Sequence, residues 1–205
     1  MTSQIINQPL KKIEQLLASP FTIFTTQDLS TQWQISDETT LYSNINYYIR
    51  TKKLIRLHKG MYALSNKPWT NYELAQKLHT PSYLSFYTGL TAAGITFQHY
   101  ETIHAMALSS KTITAASHTF TYHKIKKEIF YDQIGIEDHT TFKISSPERA
   151  ICDSLYLAPS LSFDNLKGVD PNKLLTISKI YNNNRLEKQI SQITSIDQMD
   201  KFRLT

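Results

Sequence analysis

The stretch from Ser36 to Leu64 constrains this chain most. A helical pattern, SDETTLYSNINYYIRTKK, runs straight into a short strand, Leu54-Ile-Arg-Leu57. A tight polar turn, His58-Lys59-Gly60, and a second strand, Met61-Tyr-Ala-Leu64, follow. Arg50, Lys52, Lys53, Arg56 and Lys59 fall within ten residues that contain no acid. A helix followed by a hairpin with a basic tip suits a nucleic-acid duplex, because the helix fits the major groove and the tip reaches phosphate.

The residues upstream supply what such a unit needs. Leu10, Ile13, Leu16 and Leu17 recur at helical spacing and predict a first helix from about Ser3 to Ala18, ended with the help of Pro20. Phe21-Thr-Ile-Phe24 reads as a short apolar bridge. Thr25 or Thr26 is placed to cap a second helix containing Asp28, Leu29 and Trp33. After the turn Gln34-Ile35-Ser36, Ser36 is the expected cap of a third helix. Asp37 and Glu38 then lie in its first turn, where the helix dipole favours anions. Three helices and a hairpin in this order are the layout of a winged helix-turn-helix.

The third helix has two faces. Leu41, Ile45, Tyr48 and Ile49 are spaced by threes and fours and should pack on the first two helices. Thr39, Thr40, Ser43, Asn44, Asn46, Tyr47 and Arg50 lie mostly on the other side. From these, Thr39, Thr40, Ser43, Asn44, Tyr47 and Arg50 are the candidates for base and near-base contacts. Lys52, Lys53, Arg56, His58 and Lys59 are the candidates for phosphate. A polar helix face alone reads more readily as solvated surface; the hairpin behind it turns the reading towards double-stranded DNA.

Asn66-Lys67-Pro68-Trp69-Thr70 is the expected boundary, giving a winged helix-turn-helix over residues 1–66 and a second domain over 67–205. Thr70 or Asn71 should cap a short helix, Tyr72 to Lys77, before Pro81. Ser85 is the expected cap of a helix that runs to about Ala93 and ends at Gly94. Short stretches rich in Thr, Ile and aromatics then predict strands over Thr102 to Leu108, Lys111 to Ala115, Thr119 to Ile125, Ile129 to Tyr131 and Thr140 to Ile144. Ser146-Pro147 starts a helix closed by Pro159, Asp170-Pro171 opens another, and Asn182 to Ile193 is a more polar helix. The fold class expected is α+β: a winged helix-turn-helix followed by a mixed α/β domain with a small, mainly antiparallel sheet and flanking helices.

Composition narrows the function classes. The 205 residues carry a net charge of +5, and residues 1–66 hold seven basic and four acidic side chains, against fifteen and thirteen over 67–205. The shorter segment is therefore denser in positive charge. The one cysteine, Cys152, precludes an intramolecular disulfide and fits a reducing cytoplasm. No signal-peptide pattern opens the chain, and no stretch approaches the ~18 apolar residues of a membrane span, so the reading is a soluble cytoplasmic protein with no membrane partner.

Neither His99 and His104 nor His118 and His123 have the spacing of a zinc pair, so no metal is expected. Cys152 sits in an apolar helical stretch and reads as a small packed hydrophobe. Arg149 and Asp153 are at ion-pair spacing, and with Glu148 they read as a lock of helix onto sheet. Phe86, Tyr87, Phe97, Tyr100, Phe120, Tyr122, Phe130 and Tyr131 read as core. No Walker loop, dinucleotide fingerprint or nucleophile elbow is present. The expectation is binding without catalytic residues or cofactors. A stand-alone regulator or an interaction module without DNA is the alternative, and a nuclease or transferase is disfavoured by the lack of a convergent acid cluster.

Several local motifs resemble one family. The hairpin LIRLHKGMYAL is similar to a hydrophobic–basic–glycine–Tyr-Ala-Leu hairpin found in AbiEi-type antitoxins of type IV toxin–antitoxin systems. Tyr72-Glu-Leu-Ala75 through Pro81-Ser-Tyr-Leu-Ser85, followed by Gly89-Leu90 and Ala93-Gly94, resembles that family's junction. Ser146-Pro-Glu-Arg-Ala-Ile-Cys-Asp153 with Leu155-Tyr-Leu157, and Val169-Asp170 with Leu174-Leu175 and Tyr181, resemble its later helices. Thr88-Gly89 departs from the family's Ser-Ala, and glycine there weakens a helix by ~1 kcal/mol. The resemblance implies a two-domain bacterial repressor. Its first domain would bind inverted repeats in its own promoter, and its second would counter a nucleotidyltransferase-like toxin.

Overall fold

The computed structural model describes residues 12–98 and 101–195. Among the described residues the chain is mixed α and β, with nine α-helices, a three-stranded antiparallel sheet and a six-stranded mixed sheet. No helix there is long and apolar enough to cross a membrane. Two compact units meet in sequence between Glu73 and Leu74. That point lies inside a helix, Asn71–Leu78, a few residues past the expected boundary at 66–70.

The first unit runs α1 (Lys12–Ala18), β1 (Ile23–Thr25), α2 (Thr26–Trp33), α3 (Glu38–Arg50), β2 (Leu54–His58) and β3 (Met61–Leu64). Of the expected first helix, residues 3–11, including Leu10, lie outside the described residues. The apolar bridge proves to be a strand. β1 pairs antiparallel with β3, Ile23 opposite Ala63 and Phe24 opposite Tyr62. Its approach is fixed by the buried Glu73 carboxylate, which accepts from the Thr22 amide at 2.8 Å and the Ile23 amide at 2.9 Å. Thr25 and Asp28 form a reciprocal capping box on α2. The cap of α3 is Asp37, not Ser36: its carboxylate accepts from the Thr40 amide at 2.7 Å. Asp caps as well as Ser and adds a negative charge at the positive end of the helix. Leu16, Phe24, Leu29, Trp33, Leu41, Ile45, Leu54, Tyr62 and Leu64 form one buried cluster, with Tyr48 and Ile49 packed at its edge.

The helix Asn71–Leu78, α4, leads to β4 (Ser82–Leu84), α5 (Tyr87–Ala92), β5 (Thr102–Ala107), β6 (Lys111–Ala115), β7 (His118–Lys124) and α6 (Lys127–Tyr131). Then come β8 (Ile136–Asp138), β9 (Lys143–Ser145), α7 (Pro147–Leu157), α8 (Pro171–Ser178) and α9 (Asn184–Ile193). The sheet order is β6-β7-β5-β4-β9-β8. It is more mixed than expected, because β5 runs parallel to β7 and β4 parallel to β9. The hairpin β6–β7 turns at Ala116 and Ser117, both at positive φ, the mirror-image turn that matches strand twist. It docks on β5 through β7 rather than through β6, and that makes the parallel pair.

Two local expectations fail and a third is shifted along the chain. Ile129–Tyr131 was expected as strand but lies in α6, since so short an apolar run has no period to separate the two. The strand expected over 140–144 is β9 at Lys143–Ser145, with an unforeseen partner, β8. Ser85 does not cap α5: its hydroxyl donates to Asp153 at 2.7 Å, and Phe86 precedes the helix at φ 55° without a side-chain cap. Gly89 is explained by close approach, not by helix preference. A Cβ there would stand 2.5 Å from Ser145 Oγ and 3.0 Å from the Ala150 Cβ. Of the aromatics expected in the core, Phe86, Phe120, Tyr122 and Phe130 are buried, whereas Phe97 and Tyr131 are exposed and Tyr100 lies outside the described residues.

At the centre of this unit Asp153 accepts from Tyr181 at 2.6 Å, Ser85 at 2.7 Å and Tyr83 at 3.1 Å, with Arg149 Nε 3.5 Å away. Arg149 Nη2 donates to Tyr83 Oη and to the Ile129 carbonyl, tying α7 to β4 and α6. Burial pushes Asp153 above the ordinary carboxylate range, against the pull of Arg149 and the three hydroxyls. Burial acts on Glu148 too, but donation from Lys173, the Asp170 amide and Ser146 outweighs it and holds that group below its usual value.

Candidate nucleic-acid interface

One hydrophobic stripe decides which face of α3 is presented. Leu41 and Ile45 are fully inside, and Thr39, Thr40, Ser43, Asn46, Tyr47 and Arg50 are exposed on the far side. Asn44 is the exception among the expected contacts. It is half-buried, its Oδ1 accepting from Lys12 Nζ at 2.7 Å and its Nδ2 donating to the Thr40 carbonyl at 2.7 Å. Lys12 also stands over the Trp33 ring, and Trp33 Nε1 donates to the Lys12 carbonyl. Asn44 therefore ties α3 to α1 through Lys12. Its spacing carried that signal, since it lies three residues after Leu41 and four before Tyr48, on the flank of the buried stripe.

The neighbouring amide, Asn46, is exposed. With Ser43, Ile49 and Arg50 it lines a shallow depression along α3. Tyr47, half in solvent, packs edge-on against Tyr48, which leans in turn on Trp33. This ring ladder fixes the exposed phenol to the core.

After α3 the backbone is held tightly. Lys52 adopts a left-handed φ of 55°, and the Lys53 amide returns to the Tyr48 carbonyl at 2.9 Å. Ser65 holds the Lys52 carbonyl through its hydroxyl and the Lys53 carbonyl through its amide. The hairpin tip is also anchored, for the Gly60 carbonyl accepts from the Thr26 amide at 2.9 Å and from the Thr26 hydroxyl. Gly60 sits at φ +71°, which favours glycine. Lys52, Lys53, Arg56 and Lys59 are exposed, and His58 is half-buried. Arg56 Nε makes a long contact, 3.4 Å, to the His58 carbonyl across a break in strand register.

Among the described residues no ion pair engages Arg50, Lys52, Lys53, Arg56 or Lys59. Their side chains are exposed, and they follow one another in sequence from the last residue of α3 through β2 to the hairpin tip. The acids of this helix, Asp37 and Glu38, stand at its other end, about 18 Å away along the axis. Hydrogen bonds from Thr40 hold the Asp37 carboxyl below its usual value, so that end stays anionic.

The other groups singled out in the sequence take different places. His104 Nδ1 meets His123 Nε2 at 2.9 Å with the rings stacked, a pairing that the five-residue spacings concealed; His118 bonds the Ala116 carbonyl, and His99 lies outside the described residues. Among the described residues no three His, Cys, Asp or Glu side chains converge as metal ligands. Burial raises the Cys152 thiol far above its ordinary value, which suppresses the thiolate. No protein-family model matches the chain, and no curated protein matches it.

Proposed function

We propose that the chain is a winged helix-turn-helix DNA-binding protein, with α3 as the helix that enters a major groove and β2–β3 as the wing. The observation that carries this is an exposed polar face on α3 followed, from its last residue to the hairpin tip, by five exposed cations that no ion pair engages among the described residues. Phosphate contact requires cations that are clear of acids, and the short polar side chains of the adjoining helix face suit base edges. Thr39, Ser43, Tyr47 and Arg50 face the bases in this reading, and Lys52, Lys53, Arg56 and Lys59 neutralise phosphates.

The resemblance to AbiEi-type antitoxins extends the proposal to a cytoplasmic repressor of its own toxin–antitoxin operon, acting on inverted repeats in the promoter. It assigns residues 67–205 to countering a nucleotidyltransferase-like toxin. The motif residues Arg149 and Asp153 are buried in the interior of the second unit, so they support its fold. Gel-shift titration of the full chain at low salt, against its own upstream DNA and a shuffled duplex, tests the DNA reading. Retardation of the upstream fragment at lower protein concentration is expected; no retardation of either rejects it. Co-expression with a nucleotidyltransferase-like product of the adjacent gene tests the antitoxin extension, with relief of growth arrest expected.

A further inference from the structure

We infer that Asn46, with Ile49 and Arg50, is the base-reading patch of α3, and that it selects an adenine beside a thymine methyl with a guanine within two base steps. The inference rests on the DNA-binding reading above and deepens it.

Two asparagines lie on this helix, and the fold uses them differently. Asn44 spends its oxygen on Lys12 and its nitrogen on the Thr40 carbonyl. Asn46 is exposed, has no partner among the described residues, and opens onto the depression it shares with Ser43, Ile49 and Arg50. A carboxamide presents one donor and one acceptor side by side, the complement of adenine N6 and N7 in the major groove. A guanidinium forms the matching fork for guanine O6 and N7. Asn46 and Arg50 are one turn apart, about 6 Å along the axis, which is under two base steps of about 3.4 Å. Ile49 lies between them in sequence, partly buried at the edge of the core, and gives the depression an apolar wall. On a polar face, such a wall complements the thymine methyl, the one apolar group on the major-groove edge.

Selection from a library of randomised duplexes, followed by anisotropy titration of the winning sequence, tests this. For the native chain, replacing the selected A·T pair by G·C should weaken binding roughly 5- to 150-fold. Asn46→Ala should erase that discrimination without altering the dependence on salt, while Asn44→Ala keeps the selected sequence. Two modified duplexes probe the native protein directly, so the test survives a misfolded variant. Substituting 7-deazaadenine removes the N7 acceptor, and substituting uracil for the neighbouring thymine removes the methyl; each should weaken binding, the second by about fourfold for one lost methyl. Unchanged affinity for the 7-deazaadenine duplex, or native base preference in a folded Asn46→Ala protein, overturns the assignment while the DNA-binding reading stands. If no duplex is bound at all, it is that reading which fails.

Discussion

If Lys52, Lys53, Arg56 and Lys59 each neutralise one phosphate while Arg50 reads a base, four counterions are released per protomer. The slope of log affinity against log salt is then about −3.6. Raising salt fourfold, from about 50 to about 200 mM, should cost the native protein roughly 150-fold in affinity. The double variant Lys52→Ala/Lys53→Ala loses two of these contacts. Its slope should fall to about −1.8, and the same salt change should cost only about 12-fold. The fold should not suffer, since both side chains are exposed and free of ion pairs among the described residues, and their backbone is held by Ser65 whatever the side chain. The unfolding free energy should stay within about 0.5 kcal/mol. Anisotropy titration at four salt concentrations, with urea unfolding alongside, reads both quantities. A double variant that is folded, binds, and keeps the native slope refutes the claim that these lysines sit on phosphate.

Three further outcomes concern the second unit. Gly89→Ala should destabilise by about 1–3 kcal/mol in urea unfolding despite alanine's better helix propensity, because the new methyl meets Ser145 and Ala150 at 2.5 and 3.0 Å; a stabilised variant would contradict the close approach. Asp153→Ala leaves Arg149 buried without its counter-charge and should cost about 3–5 kcal/mol, where a loss under ~1 kcal/mol would mean the pair is not held inside. Burial first, and then the charge of His123, bring His104 down to about 4, and burial lowers His123 as well. The unfolded chain therefore takes up protons first, so stability is full above about pH 6.5 and falls as pH drops towards 4. Urea midpoints at several pH values should show this fall, and the double variant His104→Phe/His123→Phe should flatten it.

Much of the first unit was legible because its signals are local. Three- and four-residue spacing located α2 and α3, glycine and proline marked the turns, and the run of cations marked the hairpin. What failed there depends on distant groups or on neighbours of equal propensity. β1 is three residues long and shows no alternation, and the carboxylate that satisfies its backbone comes from Glu73, fifty residues on. Ser36 and Asp37 are adjacent residues that both cap well, and sequence alone does not rank them. Asn44 and Asn46 look equivalent as polar residues; the Lys12 ammonium, more than thirty residues upstream, separates them.

The second unit was harder to read because its order comes from pairings rather than periods. Its polar interior follows from its composition. With 12 tyrosines and 9 phenylalanines in a chain that is 40% hydrophobic, large cores must be built partly from phenols. A buried phenol needs a partner for its hydroxyl, or it pays the cost of an unmet hydrogen bond. Tyr83 and Tyr181 both find one in Asp153, and Arg149 compensates the carboxylate while donating to carbonyls at Ile129, Ile134 and Asp132. That cluster looks reactive in the sequence, as carboxylates and a guanidinium one helical turn apart often do. In the fold both charges are sealed from solvent, and the donors that would have to turn towards a substrate already hold α7 to its neighbours. Opening the cluster would leave a bare charge inside, at about 3–5 kcal/mol for each lost partner. A carboxylate so committed serves the fold: Asp153 satisfies two buried phenols and one guanidinium at once, and the helix that carries it is fixed by all three.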